Sequence, residues 1–372
     1  MKIKNTIAQL ACAAALLGAC GGEESSTTAS TGTQPANATP TAPPRPLREL
    51  VGDTFATVAA PTDVDRDKML LGRRLFHDTR LSGDGTVSCA TCHSMSAGGA
   101  EPRATSTGIR GQIGPINSPT VLNAAFNFVQ FWDGRAADLR EQAAGPVTNP
   151  IEMGAEWPSL LERLRADETY MQSFGASYGE SGITQANVLD AIVEYERSLV
   201  TPSRFDTWLG GDDAALTEEE QRGLRLFVDT GCTTCHDGRN VGGGSYQRMG
   251  LVQSYFERRG GRVTEADLGR FNVTQAEEDR HKFKVPTLRN VELTAPYFHD
   301  GSERELAGAV RTMAQVQLGR ELADADVTAI TAFLRSLTGE LPADARLPDA
   351  NAPAAPAEAA PAPAEAAPAP AE

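Results

Sequence analysis

Two short stretches decide how this 372-residue chain folds: CATCH at residues 89–93 and CTTCH at residues 232–236. In the pattern C-x-x-C-H, each cysteine can form a thioether with a vinyl group of haem, and the adjacent histidine can bind the iron. A C-x-x-C pair alone also fits a redox dithiol or half of a zinc site. Because a histidine follows both pairs, the sequence favours two covalently bound haem c groups. The attachment residues are Cys89, Cys92, His93, Cys232, Cys235 and His236.

A longer internal repeat surrounds the two motifs. LGRRLFHDT at residues 71–79 matches RGLRLFVDT at residues 222–230 in register. Self-similarity of this kind indicates a duplicated unit, here a small cytochrome c. The first copy carries eight additional residues, LSGDGTVS, before its cysteines.

The segments around the motifs have the pattern of amphipathic helices. Apolar residues recur three and four positions apart at 158–175, 187–200 and 322–339, with charged residues on the opposite faces. Pro158, Thr184 and Thr217 lie near plausible helix starts. No run of alternating strands is present, so the predicted fold class is mainly α: two cytochrome c-like domains, at 47–205 and 206–340, each with one covalently attached haem.

The first residues of the chain indicate export. A lysine-containing start, a short apolar stretch and small residues predict a signal peptide at 1–19. Leu17–Cys20 resembles a lipobox, in which Cys20 is lipidated; an ordinary signal peptide that contains a cysteine is the alternative. A Gly/Ser/Thr/Pro-rich tether at 20–46 favours the lipobox, and therefore a periplasmic protein anchored to the membrane by lipid. Because Gly21, and not aspartate, follows Cys20, we expect the anchor to lie in the outer membrane rather than in the inner membrane.

The C-terminal segment predicts disorder, and the net charge of the chain limits the kinds of partner it can bind. Residues 341–372 form a Pro/Ala/Glu repeat that we expect to be disordered. The net charge of −15 argues against nucleic acid as a partner and favours a cationic soluble protein.

Longer blocks of the sequence resemble the bacterial dihaem cytochrome c peroxidases. These blocks are LGRRLFHDTRLSGDGTVSCATCH at 71–93, GPINSPTVLNAAFNFVQFWDGRAADLREQAAGPVTNPIEMG at 114–154, GCTTCHDG at 231–238, KVPTLRNVELTAPYFHDGS at 284–302 and TMAQVQLGREL at 312–322. The resemblance implies an enzyme that reduces hydrogen peroxide to water. Peroxide would react at the N-terminal haem, and electrons would arrive at the C-terminal haem from a small cytochrome c or a copper protein.

The same resemblance implies roles for four residues. Met313 matches the distal ligand of the C-terminal haem, where a thioether raises the reduction potential. Glu152 matches the acid–base residue over the peroxide haem, Gln142 a glutamine of the same pocket, and Trp132 the tryptophan between the haems. From the residues alone, the methionine fits core packing and the tryptophan core or interface packing. The glutamate fits a solvated surface and the glutamine an ordinary helix position.

A calcium site is also implied. Asn117 and the carbonyls of Thr294 and Pro296 match a site at the domain junction, where oxygen ligands suit this hard cation. His299 is assigned only a supporting role near the haems. A homodimer, as in relatives, is left open.

The sequence departs from the family at one place. Members that need reductive activation carry a histidine in the loop after the first haem motif, where this sequence has TSTGIRGQIGP. Ile109 or Arg110 stands there, and neither side chain ligates iron. His77 fits a helix position, and Met95 follows the haem motif too closely to reach the distal face. We therefore predict an N-terminal haem without a protein sixth ligand, ready for peroxide without prior reduction.

Two other functions remain open at this stage. A protein-modifying dihaem oxidase, like the methylamine dehydrogenase maturation enzyme, also lacks the blocking histidine but carries tyrosine in place of Met313. A dihaem electron shuttle or gas sensor would have no use for Glu152 and Gln142.

Overall fold

The computed structural model describes residues 45–346. The predicted signal peptide, the lipidated Cys20, the tether up to residue 44 and the tail beyond residue 346 lie outside the described residues. No helix within 45–346 has the length and apolar character needed to cross a bilayer.

The described chain is mainly helical, as predicted. Its helices are α1 Leu47–Val51, α2 Arg66–Phe76, α3 Cys89–Cys92, α4 Leu139–Thr148, α5 Trp157–Arg165, α6 Glu168–Tyr178, α7 Gln185–Ser198, α8 Arg204–Leu209, α9 Glu218–Asp229, α10 Tyr255–Arg259, α11 Phe271–Thr274, α12 Leu306–Leu318 and α13 Asp324–Arg335. Two short strands, β1 Tyr246–Arg248 and β2 Lys282–Lys284, pair antiparallel.

Side-chain caps explain where several helices begin. The hydroxyl of Thr184 accepts a hydrogen bond from the Asn187 amide at the start of α7. Thr217 and Glu220 form a reciprocal capping box at the start of α9. The predicted helix over 158–175 is two helices, because the Asp167 carboxylate accepts bonds from the next amides and starts α6.

The described chain has two lobes, the first built around α2 and α7 and the second around α9 and α13. Each lobe therefore rests on one pair of packed helices. In the first lobe α2 packs on α7, and in the second α9 packs on α13. A Cβ atom on Gly72 would lie 1.8 Å from the Ala191 carbonyl oxygen, and one on Gly223 would lie 1.9 Å from that of Ala329. The repeat-related glycines therefore let each helix pair approach to backbone contact, which explains why both copies of the repeat carry glycine there.

Two segments cross from one lobe to the other. Residues 47–58, assigned to the first domain by sequence, pack on the second lobe: the Asp206 carboxylate accepts a hydrogen bond from the Val58 amide at 2.8 Å and pairs with Arg289 at 2.8 Å. The pair is buried, and bidentate Arg–carboxylate bonding satisfies both charges there. The division at 205/206 itself stays a prediction.

The second crossing segment is the start of the predicted tail. Residues 341–346 lie on the first lobe, where the Arg73 guanidinium donates to the carbonyls of Asp344 and Arg346 at 2.6 and 2.7 Å. Leu341 packs on the apolar cluster around Met69. These six residues are therefore ordered, in contrast to the prediction for the whole segment.

Alanine at either crossing glycine should destabilise the protein. The added methyl must push the paired helices apart, so we expect Gly72→Ala and Gly223→Ala each to lower the free energy of unfolding by about 3 kcal/mol. Gly175, on the exposed face of α6 with open space around it, is the matched control. Gly175→Ala should raise stability by roughly 0.5–1 kcal/mol. Urea denaturation of the haem-loaded variants measures this, and equal effects at all three glycines would contradict the packing argument.

Candidate functional site

The two motif histidines have the same environment in the two lobes. His93 follows α3, and its Nδ1 lies 3.3 Å from the Gly99 carbonyl oxygen; His236 Nδ1 lies 3.3 Å from that of Val241. Burial lowers the pKa of both imidazoles, to about 4 for His236. A neutral ring that donates from Nδ1 keeps the Nε2 lone pair for a metal.

A second repeat, missed in the sequence analysis, holds those carbonyls in place. The repeat consists of PTVLN at 119–123 and PTLRN at 286–290. In each copy the threonine hydroxyl donates to the carbonyl oxygen one residue before the carbonyl that faces the histidine. Thr120 donates to the Gly98 carbonyl at 2.6 Å, and Thr287 donates to the Asn240 carbonyl at 2.7 Å. The next amide in each motif then donates to the carbonyl that orients the histidine. The shared P-T-x-x-N letters were the available signal.

The last residues of these two motifs meet at one hydroxyl. Asn123 and Asn290, both with positive φ, each donate from Nδ2 to Thr201 Oγ1 at 2.8 Å. All three side chains are fully buried. This cluster, the Asn123–Thr201–Asn290 clasp, connects the two P-T-x-x-N segments, one from each lobe.

The cysteines fit covalent haem attachment. In each motif the two thiols lie one helical turn apart beside the half-buried imidazole. All four are free, and burial raises the pKa of Cys89 to about 12. Thiols held protonated in apolar surroundings suit thioether linkage better than a metal-binding thiolate site.

Most of the site residues predicted from the sequence line one cavity, which contains the second haem motif. Cys232, Cys235 and His236 lie on one wall, and Met313 comes from α12. Its remaining lining is largely apolar, as a haem pocket requires. The cavity is also lined by Trp132, Asn117, Thr294 and Pro296.

Trp132 is fixed by its indole nitrogen, which donates to the Asn117 carbonyl at 2.9 Å. The Asn117 amide donates in turn to the His299 carbonyl at 2.8 Å, and the Trp132 and His299 rings lie 6.3 Å apart. His299 Nε2 contacts Asp267 Oδ1 at 2.8 Å. His299 therefore positions its neighbours, and its supporting role near the haems stays a prediction.

Glu152 lies in the first lobe, in the turn that follows α4, the helix of Gln142. Burial raises the pKa of its carboxyl, opposed by the charge of Arg135 and by a 2.6 Å hydrogen bond from Asn149 Nδ2. The charge of Glu152 is one of those that raise the pKa of the Cys92 thiol, after burial and Glu101. Glu152 thus lies close to the first attachment site.

Gln142 is half-buried on α4, and within residues 45–346 its side-chain amide makes no hydrogen bond. An amide in that condition is available to a ligand.

The loop that lacks histidine lies directly against Glu152. The Ile109 amide donates to the Glu152 carbonyl at 2.8 Å, and the Ile109 side chain is 3% exposed in the core of the first lobe. Arg110 is exposed, with φ of 55°. A carbon side chain in the core and a guanidinium in solvent leave this loop without an iron ligand.

The remaining histidines are held by other partners. His77 is the C-terminal cap of α2, directly after its last residue, and its Nδ1 lies 2.9 Å from the Arg73 carbonyl oxygen of that helix. His281 Nδ1 lies 2.7 Å from the Asp267 carbonyl in the second lobe.

Models of known protein families match both halves of the described chain. Residues 66–214 match the model of the di-haem cytochrome c peroxidase family, and residues 220–338 match that of cytochrome c. The cytochrome c551 peroxidase of Nitrosomonas europaea is 46% identical, over 78% of this chain and 85% of the relative. The chain belongs to the bacterial dihaem cytochrome c peroxidase family.

A second relative differs in length. The cytochrome c peroxidase Ccp of Escherichia coli is 49% identical over 75% of this chain, and the match spans 59% of the relative. Among solved structures, a MauG-like protein associated with microbial copper homeostasis has a TM-score of 0.67 and 29% identity, over 77% of this chain and 94% of that one. The predicted family, the two haem c groups and the peroxidase activity, with hydrogen peroxide as substrate and a cytochrome as donor, are thereby confirmed.

Asn149→Leu should move the pH dependence of the peroxide reaction. The variant loses the hydrogen bond that lowers the pKa of Glu152, so this pKa rises further above the ordinary 4.5. Because the resemblance assigns proton acceptance to Glu152, and only the ionised carboxylate accepts a proton, the rate should fall off at a higher pH than in the wild type. Stopped-flow rates across pH measure the shift. Asn272→Leu, at a half-buried asparagine of α11 whose Nδ2 donates to the Glu265 carbonyl, is the control and should leave the profile unchanged. An unchanged Asn149→Leu profile would contradict the role assigned to Glu152.

Proposed function

We propose that this peroxidase binds hydrogen peroxide at the haem of Cys89, Cys92 and His93, without prior reduction of the protein. The haem supplies the iron that holds peroxide and passes electrons to it. The chain supplies the proton transfers: two electrons and two protons convert one peroxide into two waters, and Glu152 moves a proton from the inner to the outer oxygen. Gln142 orients the substrate by hydrogen bonding.

The burial of Glu152 beside a loop that lacks histidine supports this proposal best. A carboxyl whose pKa is raised by burial is better suited than an exposed one both to accept a proton and to return it. Ile109 next to it lies in the core, and because neither Ile109 nor Arg110 can ligate iron, this loop would leave the peroxide position of the first haem open.

The second lobe would supply the electrons. In this proposal His236 and Met313, which line the same cavity, would hold the iron of its haem, and the thioether would favour the reduced state. Trp132, whose backbone and indole are both hydrogen bonded, would stand between the two haems as a rigid aromatic bridge. The donor would be a small periplasmic cytochrome c or a cupredoxin.

A calcium ion would stabilise the junction. Asn117, Thr294 and Pro296 line one cavity, and within the described chain Asn117 Oδ1 and the carbonyl oxygens of Thr294 and Pro296 accept no hydrogen bond. Three oxygens without a hydrogen-bond partner that line one cavity are free to bind a cation, and oxygen ligands are those that calcium prefers.

We also propose export to the periplasm and a lipid anchor at Cys20, preferentially in the outer membrane. Both rest on the pattern of residues 1–21 and not on the described residues.

The oxidised enzyme as purified should turn over peroxide at once with a reduced cytochrome c. Its electron paramagnetic resonance spectrum should show a high-spin N-terminal haem beside a low-spin C-terminal one. Glu152→Gln should lower the rate constant for peroxide by about 100-fold or more, because the proton acceptor is lost. Glu156→Gln, at an exposed glutamate of the same segment, is the control. A low-spin bis-histidine signal from the first haem, or full activity of Glu152→Gln, would defeat the proposal.

Calcium should stabilise the protein through Asn117. After chelation, calcium at about 100 times its Kd should restore about 2.7 kcal/mol of stability, seen as a rise in Tm, and magnesium should not. Asn117→Leu should abolish the response to calcium whatever its own Tm. A response retained in that variant would place the ion elsewhere.

A further inference from the structure

Lys284 is a buried lysine in the wall of the second haem cavity. It ends β2, its side chain is 5% exposed, and it lines the cavity together with His236 and Met313. Its backbone amide donates to the Trp132 carbonyl at 2.8 Å, which fixes the strand beside the proposed bridge between the haems.

The ammonium of Lys284 has no partner within residues 45–346. It makes no hydrogen bond or ion pair there, and burial alone lowers its pKa, to about 8, with no carboxylate contributing. Lys282, two residues earlier on the same strand, shows the contrast: its ammonium pairs with Asp279 at 3.0 Å near the surface. A buried ammonium is retained in proteins when it is paired, so the partner of Lys284 has to come from what fills the cavity.

The lining of the cavity narrows the choice of partner. Among the described residues that line it, Lys284 is the only lysine, arginine, aspartate or glutamate. The cysteines, the imidazole and the apolar walls fit haem, and the polar groups that haem brings into a protein are its two carboxylates. An ammonium beside these carboxylates can form a short charge-assisted hydrogen bond.

We propose that Lys284 binds a carboxylate of the second haem and, as a fixed positive charge in a low-dielectric wall, raises the reduction potential of that haem. The inference rests on the proposed place of the second haem and not on any step of peroxide chemistry. A cation near the iron favours the reduced form, which carries one positive charge less than the oxidised form. Lys284 is thus a positioning residue, and its effect adds to that of the Met313 thioether.

The test is a redox titration of the haem-loaded full chain, followed optically at the methionine-ligated haem. Lys284→Met removes the charge and keeps the length, and Lys284→Arg keeps the charge. Lys282→Met is the control on the same strand. At a fixed solution potential, Lys284→Met should lower the ratio of reduced to oxidised second haem about tenfold, which is 59 mV for a one-electron couple. Lys284→Arg and Lys282→Met should titrate close to the wild type.

A second readout follows the carboxylate directly. The resonance Raman bending band of the haem propionates should shift in Lys284→Met and in Lys284→Gln, and not in Lys282→Met. If Lys284→Met folds poorly, Lys284→Gln and Lys284→Arg carry the same comparison between a neutral and a charged side chain. Potentials and propionate bands that match the wild type in the neutral variants would overturn the proposal. So would loss of a lysine-ligated low-spin signal, which would make Lys284 an iron ligand. Neither readout uses peroxide, so failure here is distinct from failure of the proposed open iron.

Discussion

The hydrogen bond between each motif histidine and the carbonyl of its following loop is the constraint on which the rest of the molecule depends. It fixes the ring plane and leaves Nε2 for iron, and it holds only if the loop carbonyl cannot move. Thr120 and Thr287 provide that rigidity, and the Asn123–Thr201–Asn290 clasp joins the two threonine-held loops. The geometry of either site is therefore set by a hydrogen-bonded unit shared by both lobes.

The two lobes place opposite charges against apolar walls. In the first, burial holds the pKa of Glu152 above its usual range, and in the second, burial holds that of Lys284 below its usual range. In the functions proposed above, the group in the first lobe would exchange protons, and the group in the second lobe would act through its charge on the reduction potential of the haem. One duplicated scaffold supports both because the groups lie outside the shared elements: Glu152 in the turn after α4 and Lys284 on β2.

Local patterns predicted part of this molecule well. The haem motifs, the helix starts at Thr184 and Thr217, and the mainly α fold follow from spacing and capping chemistry, which act over a few residues. The split at Asp167 was missed because the apolar period continues across it while one side chain caps a new helix. The burial of Glu152, Lys284 and Ile109 depends on segments far away in sequence, and periodicity carries no information about them. The P-T-x-x-N repeat is visible in the sequence. Its role in holding the loops that follow the motif histidines is visible only in the structure.

The two crossing segments bear on how such a protein can have evolved. Residues 47–58 complete the second lobe and residues 341–346 cover the first, so each half of the duplicated gene encodes a piece of the other half's surface. A cut between the halves would strip both products of apolar cover at once. Separation of the two halves into independent proteins would therefore require both halves to acquire new surface at the same time.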